Sequence, residues 1–295
     1  MKTLAASSIG QYERAVEALT DYRHAVELGL SACLRQSNLP HRAIRRPAAP
    51  IGAVIVGSDQ GLVGRFNEVL MEFAIAKLKS LPGKLTRVWA VGDRVHGLAL
   101  DAGFNAPLLL TVPHSVDAIA ALVGRLLVEI AAASDRGEVV DVHVFHNQPQ
   151  SAAVYEPTGR RILPLDAEWQ DGLAAQPWPD RRLPEIIDGA ESALQALIRE
   201  YLFVLLFQAC AESLASENAS RLASMQRAEQ NIEDILDELR RTYHRTRQAS
   251  IDEELFEVVS GYDATAGGEE MQGQRGGQAA AERARAEPPD GSTAT

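Results

Sequence analysis

Three glycines, Gly57, Gly61 and Gly64, fall where a β-branched apolar run, Ile51–Val56, hands over to a helical pattern through Leu70, Phe73, Ala74, Leu78 and Leu81. A strand-to-helix turn of this kind can cradle a phosphate, because glycine permits close backbone approach and a helix N-terminus favours anions. The spacing G-x-x-x-G-x-x-G matches neither the dinucleotide fingerprint nor the phosphate loop, and no Lys-Ser or Lys-Thr pair follows it. A tight structural turn is the better-supported reading.

Other candidates are weaker. His143 and His146 lie three apart in a strand pattern, where alternate side chains face opposite ways, so they are poorly placed to share a metal. No carboxylate or cysteine set completes a ligand shell. The two cysteines, Cys33 and Cys210, are too few for a disulfide framework and point to a reducing compartment. No nucleophile–base arrangement can be read, so the expectation is a chain without catalytic, cofactor or metal sites. Arg240, Arg241, Arg245 and Arg247 with His244 form a basic patch between Glu233-Asp234, Asp237-Glu238 and Asp252-Glu253-Glu254. Such a pattern is either a solvated, internally balanced face or a contact surface for an acidic partner.

These residues must be positioned by an unusual frame. From about Ala190 to Ser260 the chain contains neither Gly nor Pro, the two residues most costly inside a helix. One helix of roughly seventy residues would be on the order of 100 Å long. Its apolar positions, Leu214, Leu222, Met225, Ile232, Ile235, Leu236, Leu239 and Tyr243, step by threes and fours and draw a stripe that needs a partner. Small residues from Ala209 to Ala228 keep the stripe lean enough for a neighbouring helix to come close. A second helical stripe at the other end of the chain, through Ile9, Tyr12, Val16, Leu19, Tyr22, Val26, Leu30 and Cys33, is its natural mate.

Between the two helices the pattern alternates: strand Ile51–Val56, helix to Leu81, strand Arg87–Val91, helix Asp93–Ala102, strand Leu108–Val112, helix Val116–Ala133, strand Val139–Phe145. Alternation of this kind predicts a mainly parallel sheet with helices on its faces. The proline-rich stretch Pro40–Pro50 reads as a linker, and Gln148–Pro184 holds one short strand candidate, Arg161–Leu163. The organisation expected is therefore an N-terminal helix over 1–38, an inserted Rossmann-like α/β domain over 51–185, a long C-terminal helix over 186–260, and a disordered tail over 261–295. The fold class is α/β, with an antiparallel coiled coil made from the two terminal helices.

At 295 residues and 46% hydrophobic composition the chain supports a sizeable core. A net charge of −11, spread along the chain, speaks against nucleic acid, whose binders gather basic charge on one face. No signal-peptide pattern opens the chain, and no eighteen consecutive residues are apolar, so no membrane span is expected.

Three stretches carry a family resemblance. Ser58-Asp59-Gln60-Gly61-Leu62-Val63-Gly64-Arg65-Phe66-Asn67 resembles the S/T-D-x-G-L-x-G-x-x-N signature of the gamma subunit of F-type ATP synthases, with Arg65 in place of a common Gly. The run Glu212–Met225 resembles that family's S-E-x-x-x-R-x-x-A-M motif, and Tyr243–Ile251 with Glu254-Leu255 and Val258-Val259-Ser260-Gly261 resembles its terminal signature. The opening Met1–Ser7 resembles the interior of the family's N-terminal helix. Ala5–Glu13 and the Gly-rich tail look more like the alternate, sodium-linked N-type branch than the housekeeping enzyme.

The resemblance implies a non-catalytic rotor shaft. Its coiled coil enters a catalytic head of alpha and beta subunits, and its α/β domain sits near the membrane against the epsilon subunit and the ring of c subunits. It places the protein peripherally, on the cytoplasmic face of a bacterial inner membrane, coupling proton or sodium flow to ATP synthesis or hydrolysis. Carried over by motif, the contacts to beta subunits fall on Arg221, Arg247 and Gln248. The family's helix reaches further back than the position of Met1, and its antiparallel pairing puts Met1 near Arg221. A competing expectation is an α/β domain that binds a small ligand, with the coiled coil as a dimerisation arm.

Overall fold

A computed structural model describes residues 2–36, 49–151, 154–179, 184–186 and 189–285. The chain divides into two compact units, Met1–Ala228 and Glu229–Thr295.

The first unit is built on a five-stranded sheet of order β3-β2-β1-β4-β5. Strands β1 (Ile51–Val56), β2 (Leu85–Val91), β3 (Leu108–Leu110) and β4 (Asp141–Ser151) run parallel, and β5 (Val154–Leu163) pairs antiparallel with β4. All six residues of β1 are buried, because helices cover both faces of a parallel sheet and leave no position for a polar side chain. Ile51, Ala53 and Ile55 join one cluster with helices α2 (Phe66–Ser80) and α3 (Asp93–Asp101). Val54 and Val56 join the other, with α1 (Lys2–Gln36), α4 (Val116–Asp135), α5 (Ala167–Ala174) and α6 (Ala190–Arg285). The period of two along the strand sorts the residues between the two layers.

Helices α1 and α6 run antiparallel inside this unit. A Cβ on Gly29 would meet Leu197 at 3.2 Å, Tyr22 donates to Glu200 at 2.7 Å, and Arg23 donates to Gln208 at 3.1 Å. Farther along, Ser8 and Tyr12 share a cavity wall with Glu217 and Arg221. The expected place of Met1 near Arg221 lies outside the described residues.

Other expectations shift too. Where only Arg161–Leu163 was read as strand, β5 spans ten residues. It is the sheet's edge, where the run Glu156-Pro157-Thr158-Gly159-Arg160-Arg161 carries no large apolar residue, and Pro157 faces Asn147 in the ladder, a place where proline is tolerated. The helix α5 was also unforeseen; its N-cap, Asp166, accepts from the Trp169 backbone N–H at 3.1 Å. Residues 37–48, which hold most of the expected linker, and 286–295 at the end lie outside the described residues.

The apolar run of α6 has a plain cause. One window within Glu191–Tyr262 is long and apolar enough to cross a membrane by length and composition alone, with mean hydropathy 1.4. Val204, Leu206, Ala209, Cys210 and Ala211 in that region are buried in the core of the first unit.

In the second unit the described backbone is the remainder of α6. The helix continues past Ser260 to Arg285, where a disordered tail was expected; Ala, Glu, Gln and Arg are strong helix formers and outweigh the scattered glycines there. From Glu229 to Tyr262 every described side chain is exposed, including Ile232 at 58%, Leu239 at 63% and Phe256 at 76%.

Candidate functional site

The crevice beyond the carboxyl ends of the strands is where open parallel sheets bind ligands, at the point where strand order reverses. Here that point lies between β1 and β4, which flank the reversal in the order β3-β2-β1-β4-β5. Helix α6 fills it. Ser213 Oγ donates to the Val56 carbonyl at 2.9 Å, Ser216 Oγ to the Asn147 carbonyl at 3.0 Å, and Ser220 Oγ to the Val63 carbonyl at 2.6 Å. The steps of three and four put these hydroxyls on one helix face. The small residues expected to admit a neighbouring helix therefore serve, over this stretch, to seat α6 on backbone carbonyls at the end of β1, within β4 and in the turn after β1.

The glycine-rich turn beside it is built to hold itself. The Asn67 side chain is buried, accepts from the Ser58 N–H at 3.0 Å and donates to Ser58 Oγ at 2.9 Å. Asp59 accepts from the Asp93 N–H at 3.0 Å, capping α3, and from the Val112 N–H at 2.9 Å. A Cβ on Gly57 would stand 2.6 Å from Asn67 Oδ1 and 2.7 Å from Val95 Cβ. Gly64 has φ +60, the left-handed region glycine favours. The Ser, Asp, Gly and Asn of the signature thus tie three strand ends together, and the turn reading holds over the phosphate cradle.

Two glutamates of α6 face this junction. Glu212 is 5% exposed; its Oε2 lies 2.7 Å from His146 Nε2, and its Oε1 accepts from Gln208 at 2.7 Å. Burial pushes its pKa up, but the His146 and Gln208 partners overcome that and hold it below the ordinary carboxylate range. Glu217 is equally buried at 5%, and its Oε1 accepts from Arg221 at 2.5 Å. Its Oε2 has no partner among the described residues. Burial pushes the Glu217 pKa up, with Asp59 adding to the rise and Arg221 and His114 opposing it. Glu217 is the glutamate of the S-E-x-x-x-R motif, read there only as part of a resemblance; Glu212 carries no signal beyond being an acid inside a run of Ala and Ser.

The residues expected to contact beta subunits divide between the units. Arg221 belongs to the first: its guanidinium meets Glu217, and Asn218 Oδ1 at 3.5 Å, and its side chain is 16% exposed. Arg247 and Gln248 belong to the second and are exposed. In the basic patch Arg240 pairs with Asp237 at 3.2 Å. As the strand period implied, the histidines diverge: His146 meets α6, while His143 stacks on Phe145, ring centroids 6.2 Å apart, on the opposite face.

A family model described as ATP synthase matches residues 1–265. The ATP synthase gamma chain of Frankia casuarinae is 31% identical over 279 residues, covering 91% of this chain and 92% of its own length. The chain belongs to the ATP synthase gamma-chain family. The gamma chain of Dechloromonas aromatica is 28% identical over 246 residues, covering 83% of this chain and 78% of its own. Among solved structures, a chain of the Tetrahymena thermophila mitochondrial ATP synthase central stalk and c-ring shares the fold at TM-score 0.54 and 18% identity, covering 78% of this chain and 97% of that one. A chain of the Euglena gracilis mitochondrial ATP synthase does so at TM-score 0.55 and 15% identity, covering 90% and 96%.

Proposed function

We propose that this chain is the central-stalk rotor subunit of an F-type ATP synthase, coupling ion flow through a membrane c-ring to ATP synthesis or hydrolysis in a head of alpha and beta subunits. It performs no chemistry itself, associates peripherally with the membrane through the c-ring and epsilon subunit, and works at the cytoplasmic face of a bacterial inner membrane. The observation that carries this reading is the seating of α6 on β1, β4 and the turn after β1 by Ser213, Ser216 and Ser220. Torque delivered to the α/β domain has to cross that junction, and a row of directional hydrogen bonds backed by a buried Glu212–His146 pair resists slip better than apolar packing alone.

The contacts to the beta subunits are assigned to Arg221, Arg247 and Gln248. Charge-assisted hydrogen bonds worth about 1.5–3 kcal/mol each bias one rotary position without freezing it. The test is the double substitution Arg221→Ala with Gln248→Ala in the assembled complex. Coupled ATP turnover should fall while assembly persists; unchanged turnover removes both residues from the mechanism.

The ligand-binding alternative loses ground on the same observation, since the crevice such a ligand would use is occupied by α6.

A further inference from the structure

A cavity of about 290 Å³ lies between α1, the turn after β1, the loop after β3 and α6. Ser8, Tyr12, Asp59, His114, Glu217 and Arg221 are among the residues that line it. Glu217 is its buried acid, and its bonding is lopsided: Arg221 Nη2 holds Oε1 at 2.5 Å while Oε2 has no partner among the described residues. A buried carboxylate bonded through one oxygen only is held charged chiefly by its single cation. The guanidinium, for its part, spends its fork on Glu217 and, more loosely, on Asn218 at 3.5 Å. While it does so, it has fewer donors for any other group.

We propose that Glu217 is a proton-operated latch on Arg221: the charged carboxylate keeps the guanidinium at the cavity wall, and uptake of one proton by Glu217 frees its fork to bind a carboxylate of a partner chain. The step is a protonation only, Glu–COO⁻ plus H⁺ giving Glu–COOH, and no bond to Arg221 other than the ion pair is lost. The proposal rests on the reading of Arg221 as a partner contact.

The groups facing Glu217 set the sign of the response. From its own helix comes Arg221, from the turn after β1 Asp59, and from the loop after β3 His114. From α1 comes Tyr12, whose hydroxyl pKa is raised by burial and then by the Glu217 charge. Burial, the largest influence, and Asp59 favour the neutral acid, while Arg221 and His114 favour the carboxylate; the net effect is a raised pKa. Proton uptake therefore occurs above the ordinary glutamate range, and acidification releases the latch.

The test compares the assembled complex carrying Glu217→Gln, a permanently neutral side chain of the same shape, with the wild type across acidic to alkaline pH. The ratio of their ATP turnover per complex should depart several-fold from one at alkaline pH and converge on one as pH falls, because the wild type then carries the neutral side chain as well. In an Arg221→Gln background the Glu217→Gln substitution should have no effect at any pH. A ratio independent of pH, or an effect that persists without Arg221, overturns the latch. If Arg221→Gln alone leaves turnover unchanged at every pH, it is the contact role of Arg221 that fails, and the latch falls with it. Should Glu217→Gln not assemble, Glu217→Asp, which keeps the charge and shortens the reach, makes the comparison at the acidic end: its ratio to the wild type must be one there, where both side chains are neutral, and a ratio that departs from one at acidic pH overturns the proposal.

Discussion

Glu212 Oε2 and His146 Nε2 lie 2.7 Å apart, joining α6 to β4 through two side chains that are both less than a tenth exposed. The pair sits beside the serine row, so the polar contacts that seat α6 are concentrated where it crosses the sheet.

The Glu212 carboxylate, held below its usual pKa by His146 and Gln208 against the pull of burial, favours the folded state above its unfolded pKa. That contribution is lost as pH falls through the lower folded value. Glu212→Gln should therefore cost about 1.5–3 kcal/mol at neutral pH, with the difference from wild type narrowing on acidification. Denaturant unfolding at a series of pH values measures this; a gap that widens toward acid would contradict it.

Each of Ser213→Ala, Ser216→Ala and Ser220→Ala removes one bond to a backbone carbonyl and should cost about 0.5–1.5 kcal/mol. The prediction is read from urea midpoints. If none of the three shifts the midpoint, solvent or backbone relaxation satisfies those carbonyls without the hydroxyls.

In the turn after β1, Gly57→Ala puts a methyl against Asn67 Oδ1 and Val95 and should destabilise by about 1–3 kcal/mol through overpacking. Asn67→Ala, which leaves the Ser58 N–H without its acceptor, should cost about as much by the penalty for a buried unpaired donor. Thermal or denaturant unfolding decides both, and a neutral Gly57→Ala would mean that the turn has slack the close contacts do not suggest.

Cys210 is buried among Leu206, Leu214 and their neighbours, and desolvation pushes its thiol pKa up to about 12. Burial raises Cys33 as well. Since the thiolate is the nucleophile, both should resist iodoacetamide at neutral pH in the folded chain and react once it is unfolded. Mass spectrometry after labelling in buffer and in denaturant gives the answer; ready labelling of Cys210 in buffer would show that the α6 junction opens.

By itself the sequence was decisive wherever local periodicity and the physics agree. The buried run of β1, the alternation of strand and helix as far as β4, and the two long terminal helices follow from the period of apolar residues and the positions of Gly and Pro. The turn signature was legible as a turn, and its resemblance to the gamma-chain family was legible as a motif. The edge strand β5 was not, because one face of it is solvated and Pro157 mimics a loop. The serine row could be read only as helix-packing filler, since a small side chain looks alike whether it admits a helix or donates to a carbonyl. The surroundings of Glu212 and Glu217 depend on residues from 66 to more than 150 positions away in the chain, such as His146 and Asp59. Charge and desolvation act through space, so only the tertiary arrangement could decide that two glutamates five positions apart titrate in opposite directions.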